Sequence, residues 1–364
     1  MRWRLPESGC PQVGQGTGGI DSPFINPRQV VSLRPDKETA MQAMNDRASD
    51  LGREYPIDAR RFSLLELPVC DGFTEAVQRG LGQRPRQIPP RFFYDSRGSE
   101  LFERICALPE YYVCRTEYGI LKQHAAEIEP PEVVIELGCG YGLKTQLLFE
   151  AFFRRRAQMT CVPVDISRRA LVETGRRLIR AYPGLSVRAI RADFETACPY
   201  LQRTPGLVLI LGSNIGNLER EEAARFLAAL RGHQILAGFD MQKDPDALHA
   251  AYNDPQGVTA AFNLNLLARI NRELGGNFNP DRWRHLAFYD ARAGRIEMHL
   301  VSAALQAVRV GAARHVFEAG ERIHTENSHK FTMAQIRDLA AGSGMRIERW
   351  WMDARGWFSV VLLS

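Results

Sequence analysis

Val133-Val134-Ile135-Glu136-Leu137-Gly138-Cys139-Gly140-Tyr141-Gly142 is the stretch that decides the fold. Its first five residues are mostly apolar and β-branched, and the run is too short for a buried helix. It reads as a strand covered on both faces. The glycines that follow let the backbone turn sharply and approach a ligand at the N-terminus of the next helix.

Outward from that strand, short apolar runs alternate with helical stretches at Thr160 to Val164, Val187 to Ile190, Leu207 to Leu211 and Ile235 to Phe239. Such alternation predicts a parallel sheet with helices on both faces. Ser167 is placed to cap one helix, and Glu219, Glu221 and Glu222 sit at the first turn of another. After Asp240 the alternation stops. Residues 242–329 hold a helical stretch through Leu248, Phe262 and Ile270, then a strand-like Ile296 to Val301 in which Ile296, Met298 and Leu300 share one face. This segment reads as an inserted second domain. The chain closes with a helix over Met333 to Ala341 and two strand-like runs, Arg346 to Met352 and Trp357 to Leu363. A final hairpin on a five-stranded parallel sheet is the methyltransferase variant of the doubly wound, Rossmann-like α/β fold.

Upstream, residues 1 to about 55 carry scattered Gly and Pro without hydrophobic periodicity, as a flexible leader would. Met41 or Met44 is a candidate start. The texture changes at Phe62, and Ser99 followed by Leu101, Ile105 and Leu108 predicts a capped amphipathic helix ended by Pro109.

The 364 residues, 45% of them hydrophobic, suffice for two domains or for one enlarged by an insertion. The net charge is +5, from 47 Lys+Arg against 42 Asp+Glu. Only Lys37, Lys122, Lys144, Lys243 and Lys330 are lysines, a bias that reads as composition rather than anion binding. No apolar run nears the roughly 18 residues of a membrane span, and no signal peptide follows Met1, so a cytoplasmic location is expected. The seven cysteines include no C-x-x-C pair, so reduced, mostly buried thiols are expected rather than a disulfide framework or a zinc site.

Glycines 138, 140 and 142 are spaced G-x-G-x-G. A nicotinamide dinucleotide fingerprint needs G-x-G-x-x-G, and position 143 is Leu, so S-adenosylmethionine is favoured over NAD. Asp165 and Asp193 stand at the carboxyl ends of the next two strands, where open α/β sheets bind ligands. Asp165 suits the ribose hydroxyls; Asp193 suits the adenine amine, with Phe194 against the ring. A helix cap is the alternative for either acid alone. After the fourth strand comes Leu211-Gly212-Ser213-Asn214-Ile215-Gly216-Asn217, where an Asn offers an amide at the cofactor's reactive end, or else makes an Asx turn.

Longer motifs then make the chain recognisable. They are Pro89-Pro90-Arg91-Phe92-Phe93-Tyr94-Asp95 with Gly98-Ser99-Glu100-Leu101-Phe102; Leu108-Pro109-Glu110-Tyr111-Tyr112 with Arg115-Thr116-Glu117; Gly212 to Asn217; Gly257-Val258-Thr259-Ala260-Ala261-Phe262-Asn263; Arg295-Ile296-Glu297-Met298-His299-Leu300; and Thr325-Glu326-Asn327-Ser328-His329-Lys330-Phe331. From about Leu64 onward the chain resembles the L-histidine N-alpha-methyltransferases of ergothioneine biosynthesis, which convert histidine to its trimethylated betaine, hercynine. The resemblance implies that Gly138, Lys144, Asp165, Asp193 and Phe194 hold S-adenosylmethionine, with Gly140 in the same loop. It implies an amino-acid pocket of Tyr94, Tyr111, Asn217, Tyr252, Met298, Glu326 and Ser328. In the family the tyrosines hold the substrate carboxylate and flank the substrate, the Asn receives the α-amino group, and the Glu and Ser hydrogen-bond the imidazole. Asn214 and Asn327 stand at positions that vary in the family, and nothing before Phe62 matches it.

The implied division makes physical sense. Glu326 and Ser328, two apart on an extended segment, address both ring nitrogens from one face, and an apolar ring would leave them unpaired at roughly 1 to 3 kcal/mol. A sulfonium methyl is already electrophilic, so Asn217, the catalytic candidate, is expected to orient the amine rather than take its proton. The expected organisation is a leader over 1–61, a substrate portion over 62–114 and 242–329, and a cofactor portion over 115–241 and 330–364. Three other readings come into question. One is an N-methyltransferase of another amino acid such as tryptophan, which should want a smaller residue at 298 and no carboxylate at 326. Another is nucleic-acid binding through ten arginines between Arg154 and Arg191, which more simply form a solvated face. A metal site at His324, Glu326 and His329 fails because histidines five apart on a strand face opposite ways. L-histidine is thus the expected partner, with no nucleic acid, no membrane and no metal, and nothing demands more than a monomer.

Overall fold

The computed structural model describes residues 53–58, 61–68, 72–138 and 142–364. The expected leader before Arg53 lies outside the described residues, as do Cys139, Gly140 and Tyr141 of the glycine loop. Among the described residues no helix is long and apolar enough to cross a membrane.

Strands β1 (Arg53–Asp58) and β2 (Phe62–Glu66) form a hairpin, followed by α1 (Phe73–Gly82), the short β3 (Arg86–Gln87), α2 (Ser96–Ala107) and α3 (Tyr112–His124). The alternating segment comprises β4 (Val133–Leu137), α4 (Leu143–Phe152), β5 (Met159–Asp165), α5 (Arg168–Ala181), β6 (Leu185–Arg191), α6 (Phe194–Leu201), β7 (Leu207–Ile210), α7 (Arg220–Ala229) and β8 (Gln234–Asp240). The inserted segment holds α8 (Pro245–Tyr252), α9 (Val258–Leu274), β9 (Trp283–Asp290), β10 (Arg295–Ser302), β11 (Gln306–Val310), β12 (Ala313–Phe317) and β13 (Arg322–His329). The chain ends with α10 (Met333–Gly342), β14 (Ile347–Met352) and β15 (Phe358–Leu363).

The large sheet has nine strands in the order β1-β2-β6-β5-β4-β7-β8-β15-β14. Within it β6-β5-β4-β7-β8 run parallel, and β15 inserts antiparallel between β8 and β14. That is the doubly wound sheet of class I methyltransferases. Every residue of β7 and of β15 is buried, as strands covered by helices on both faces require. The sequence suggested five parallel strands. There are six, because β2 pairs in parallel with β6, and β1 lies antiparallel outside it. The expected leader and substrate portion thus lose residues 53–58 and 62–66 to the large sheet. Both strands are short, and Pro56 interrupts the first, so neither shows a period that distinguishes it.

Local chemistry explains the helix starts. The Ser167 hydroxyl accepts from Ala170 N at 3.2 Å at the head of α5, and Glu219 and Glu222 form a reciprocal capping box on α7. The cap of α2 is Asp95 rather than Ser99: its carboxylate accepts from Gly98 N at 2.6 Å, and Ser99 falls inside the first turn. The helix still stops before Pro109.

The inserted segment builds a second sheet, β3-β13-β10-β9, in which β13 and β10 are antiparallel with a bulge at Met298/His299. Helix α9 packs on this sheet and on α2. The chain leaves the large sheet at Asp240 and returns beside it, with Phe331 N donating to Asp240 O at 2.8 Å and Gln242 N to Phe331 O at 2.9 Å. The thiols of Cys106 on α2 and Cys114 on α3 approach to 2.7 Å, and Cys161 and Cys198 are buried and free.

Candidate active site

Gly138, at the carboxyl end of β4, has φ +79°, a conformation that favours glycine. A Cβ there would lie 3.2 Å from the Asn214 amide nitrogen and 3.5 Å from the Phe194 ring, so the glycine loop, the β7 turn and the start of α6 converge on one point. Glu136 lies just before it on β4. Burial raises its carboxyl to about 7; Thr145 donates to one oxygen, and the other is buried without a partner. Asp165 ends β5 and accepts from Ser167 N at 2.9 Å, while Asp193 caps α6, accepting from Thr196 N at 2.8 Å. The cap alternative is therefore realised for Asp193. A cap uses one carboxylate oxygen of two, so it does not compete with ligand binding. An orphaned buried carboxylate oxygen, a left-handed glycine and acids at two adjacent strand ends suit a ligand with an amine, a ribose and a purine.

Lys144, in the first turn of α4, meets the Glu117 carboxylate at 2.5 Å. Burial opposes its charge, but Glu117 more than offsets that and holds the ammonium above its ordinary pKa. Glu117 is fully buried on α3 and also accepts from Gly212 N at 2.8 and 2.9 Å. It thereby ties α3 to α4 and to the turn after β7. That turn places two consecutive residues in the left-handed region, Gly212 at φ +77° and Ser213 at φ 58°. Ser213 is the exceptional one, since a residue with a Cβ adopts this conformation only when its surroundings impose it. Here its hydroxyl accepts from Asp240 N at 3.1 Å and its carbonyl from Gly216 N at 2.8 Å, and the chain runs on as a short 3-10 turn over Asn214–Asn217.

Beside this point lies a small, partly enclosed cavity. Tyr94, Tyr111, Asn217, Tyr252, Glu326 and Ser328 all line it. Phe102, Val113 and the turn Gly212 to Asn214 close it, with Asp240 at its floor. Met298 is not among the lining side chains. It faces Glu326 across the β10–β13 pair and is 1% exposed, so it acts as packing beside the carboxylate.

Each wall is braced. Arg115 donates to Leu108 O at 3.0 Å and Tyr111 O at 3.1 Å, holding the turn that presents Tyr111. Asp95, next to Tyr94, pairs with Arg272 at 2.5 Å and accepts from Asn265 at 2.8 Å, both on α9. Tyr111 and Tyr252 meet edge to face, 6.0 Å between centroids. Burial pushes the Tyr94, Tyr111 and Tyr252 phenols above their ordinary pKa, so all three remain hydrogen-bond donors at neutral pH. Burial also lifts the Glu326 carboxyl to about 7, with the Lys330 charge opposing.

Residue reasoning missed a charged cluster beneath the pocket. Lys330, fully buried, pairs with Asp240 at 2.9 Å and donates to Ser328 Oγ at 2.8 Å and Tyr252 OH at 3.0 Å. Lys243 also binds Asp240, and the Tyr112 phenol donates to it at 2.8 Å. Burial works to raise the Asp240 carboxyl, but Lys330 and Lys243 leave it lowered; burial pulls Lys243 itself down to about 8. Glu117, too, has nothing in its local sequence that marks its role. The available signal was the rarity of lysine. Of the ten arginines between 154 and 191, Arg155, Arg156, Arg168, Arg169 and Arg191 pair with glutamates. Among the described residues no group of three or more His, Cys, Asp or Glu could hold a metal ion.

Residues 73–364 match the model of a family described as histidine-specific methyltransferase, SAM-dependent. The chain belongs to that family. It is 40% identical over 299 residues to a histidine N-alpha-methyltransferase of Mycobacterium tuberculosis, covering 79% of this chain and 93% of that one. It is 38% identical over 317 residues to the protein of the same name from Mycolicibacterium smegmatis, covering 82% and 98%. A 4-dimethylallyltryptophan N-methyltransferase of Claviceps purpurea is 28% identical over 316 residues, covering 76% and 90%. Membership of this SAM-dependent family agrees with the sheet order, and the residues at the ends of β4, β5 and β6 have the chemistry to hold S-adenosylmethionine.

Proposed function

We propose that this methyltransferase transfers methyl groups from S-adenosylmethionine to the α-amino nitrogen of L-histidine, ending at the trimethylated betaine, hercynine. The observation that carries this is the Glu326 carboxylate and Ser328 hydroxyl lining one small cavity together with three neutral phenols. An imidazole uses both groups, whereas an indole, with a single N–H and no ring acceptor, leaves one of them unpaired at a cost of about 1 to 3 kcal/mol.

In this assignment Tyr94 and Tyr111 donate to the substrate carboxylate and flank the amino acid with Tyr252. Asn217 receives the α-amino group through its amide oxygen, which points the nitrogen lone pair at the methyl. Met298 packs beside Glu326 and sets the room left for the ring. Gly138, Gly140, Lys144, Asp165, Asp193 and Phe194 hold the cofactor. When bound, S-adenosylmethionine supplies a methyl on positive sulfur that needs no further activation. The work left to the chain is alignment and exclusion of water. Presenting a neutral amine costs about 1.4 kcal/mol for each unit by which its pKa exceeds the ambient pH, less than alignment returns, so no strong base is assigned.

Residues 62–114 and 242–329 furnish the amino-acid portion, β2 excepted, and 115–241 with 330–364 the cofactor portion. The enzyme is read as a cytoplasmic monomer without a nucleic-acid partner. In support, the described cysteines are free, and half of the arginine cluster is paired within the fold. Incubation with labelled cofactor and each amino acid singly tests the substrate: histidine should be the preferred acceptor, and preference for any other refutes the assignment. Asn217→Ala should raise the histidine KM steeply while leaving residual turnover. Complete inactivity with unimpaired histidine binding would contradict its orienting role.

A further inference from the structure

The Ser328 hydroxyl has little freedom of role. Its oxygen accepts from the Tyr252 phenol at 2.8 Å and from the Lys330 ammonium at 2.8 Å. A phenol is the more acidic hydroxyl, so it is the donor of that pair. Serine has two acceptor sites and one proton, so with both sites filled only the proton is left, and Ser328 lines the cavity. Lys330 is equally committed. Its three N–H groups meet Ser328, the Tyr252 oxygen and Asp240, and its side chain is fully buried.

We propose that Lys330, held by Asp240, is a positioning residue that fixes Ser328 as a hydrogen-bond donor, so that the pocket takes the neutral imidazole of histidine and turns away imidazolium. This rests on the histidine assignment above. Among the described residues no side chain hydrogen-bonds the Glu326 carboxylate, so it is free to accept the single N–H of a neutral ring while the Ser328 proton meets the ring's lone pair. A protonated ring brings a second N–H against that proton, with the Lys330 charge directly behind it. The groups facing Ser328 are Glu326 and Lys330 on its own segment, Tyr252 from α8 and Asp240 from β8. Tyr112 and Lys243 stand behind Asp240, and Tyr94 and Tyr111 complete the lining. Of these, Glu326 titrates in the range of the substrate ring, at about 7, so the test must cancel its contribution.

The histidine KM is compared with that of 3-(pyrazol-3-yl)alanine, whose ring also carries one N–H and one lone pair but stays neutral, between about pH 5.5 and 8.5. Both substrates share the α-amino group and meet the same Glu326, so those titrations drop out of the ratio of the two KM values. In the wild-type enzyme this ratio should rise about tenfold per pH unit below the ring pKa of ~6.5. In Lys330→Met the hydroxyl is released to accept as well as donate, and the dependence should flatten. A pH-independent ratio in the wild type overturns the proposal, and so does an undiminished slope in Lys330→Met. Should that variant fail to bind the demethylated cofactor, Ser328→Ala replaces it, with the same flattening expected and the same contrary result. Failure of the histidine assignment is a different outcome, the absence of histidine methylation at every pH.

Discussion

Lysine is scarce in this chain, yet three of the five, Lys144, Lys243 and Lys330, stand at the site. An ammonium is a compact charge whose three donors point in three directions, as Lys330 uses them; a planar guanidinium cannot replace it in so small a space. Glu326 carries the opposite problem, a carboxylate partly buried before any substrate arrives. Its folded pKa is about 7 against an ordinary 4.5, so the folded state binds the extra proton between those values and stability falls as pH rises through that window. Glu326→Gln should therefore be more stable than the parent at pH 8 but not below pH 4.5, by on the order of 3 kcal/mol at most, read from denaturant midpoints at the two pH values. Equal midpoints at pH 8 would show that the carboxylate is solvated. Glu326 and Ser328 enter through the family motif that contains them, and their spacing by two on a strand then explains how both can address one ring. Asp240, Lys330, Lys243 and Tyr112 were not legible as a cluster, because they come from distant parts of the sequence and only the fold assembles them.

Among the elements, the parallel strands declared themselves through short apolar runs, and the end of the alternation after Asp240 marked the insertion. What escaped was whatever lacked a period of its own. β1 and β2 are too short to show one, and Glu117 sits alone on an otherwise ordinary helix. Yet Glu117 is the side chain on which α3, α4 and the turn after β7 converge. Glu117→Ala leaves the Lys144 ammonium and the Gly212 N–H without their acceptor. It should lower stability by about 3 to 5 kcal/mol and weaken cofactor binding, both visible as a reduced melting temperature and a reduced shift on adding cofactor. An unchanged melting temperature would remove Glu117 from the framework of the site.

At the scale of the molecule, β15, far along the chain, is internal to the sheet. All six residues of β15 are buried between β8 and β14, so a chain ending at Gly356 should show no cooperative thermal transition and no near-ultraviolet circular dichroism. Retained folding would mean that β8 tolerates a free edge. The insertion shows the reverse economy: residues 241–329 leave and re-enter the large sheet at neighbouring points, Asp240 and Phe331, joined by backbone hydrogen bonds and by the Asp240–Lys330 pair. A module whose two ends meet can be exchanged for another without rethreading the framework, which lets substrate choice diversify while the cofactor sheet stays as it is. Lys330 limits that freedom. Because one ammonium both fastens the module's return and orients Ser328, a transplanted module must bring a pocket compatible with this fastening, so the joint itself filters which amino acids the scaffold can come to accept.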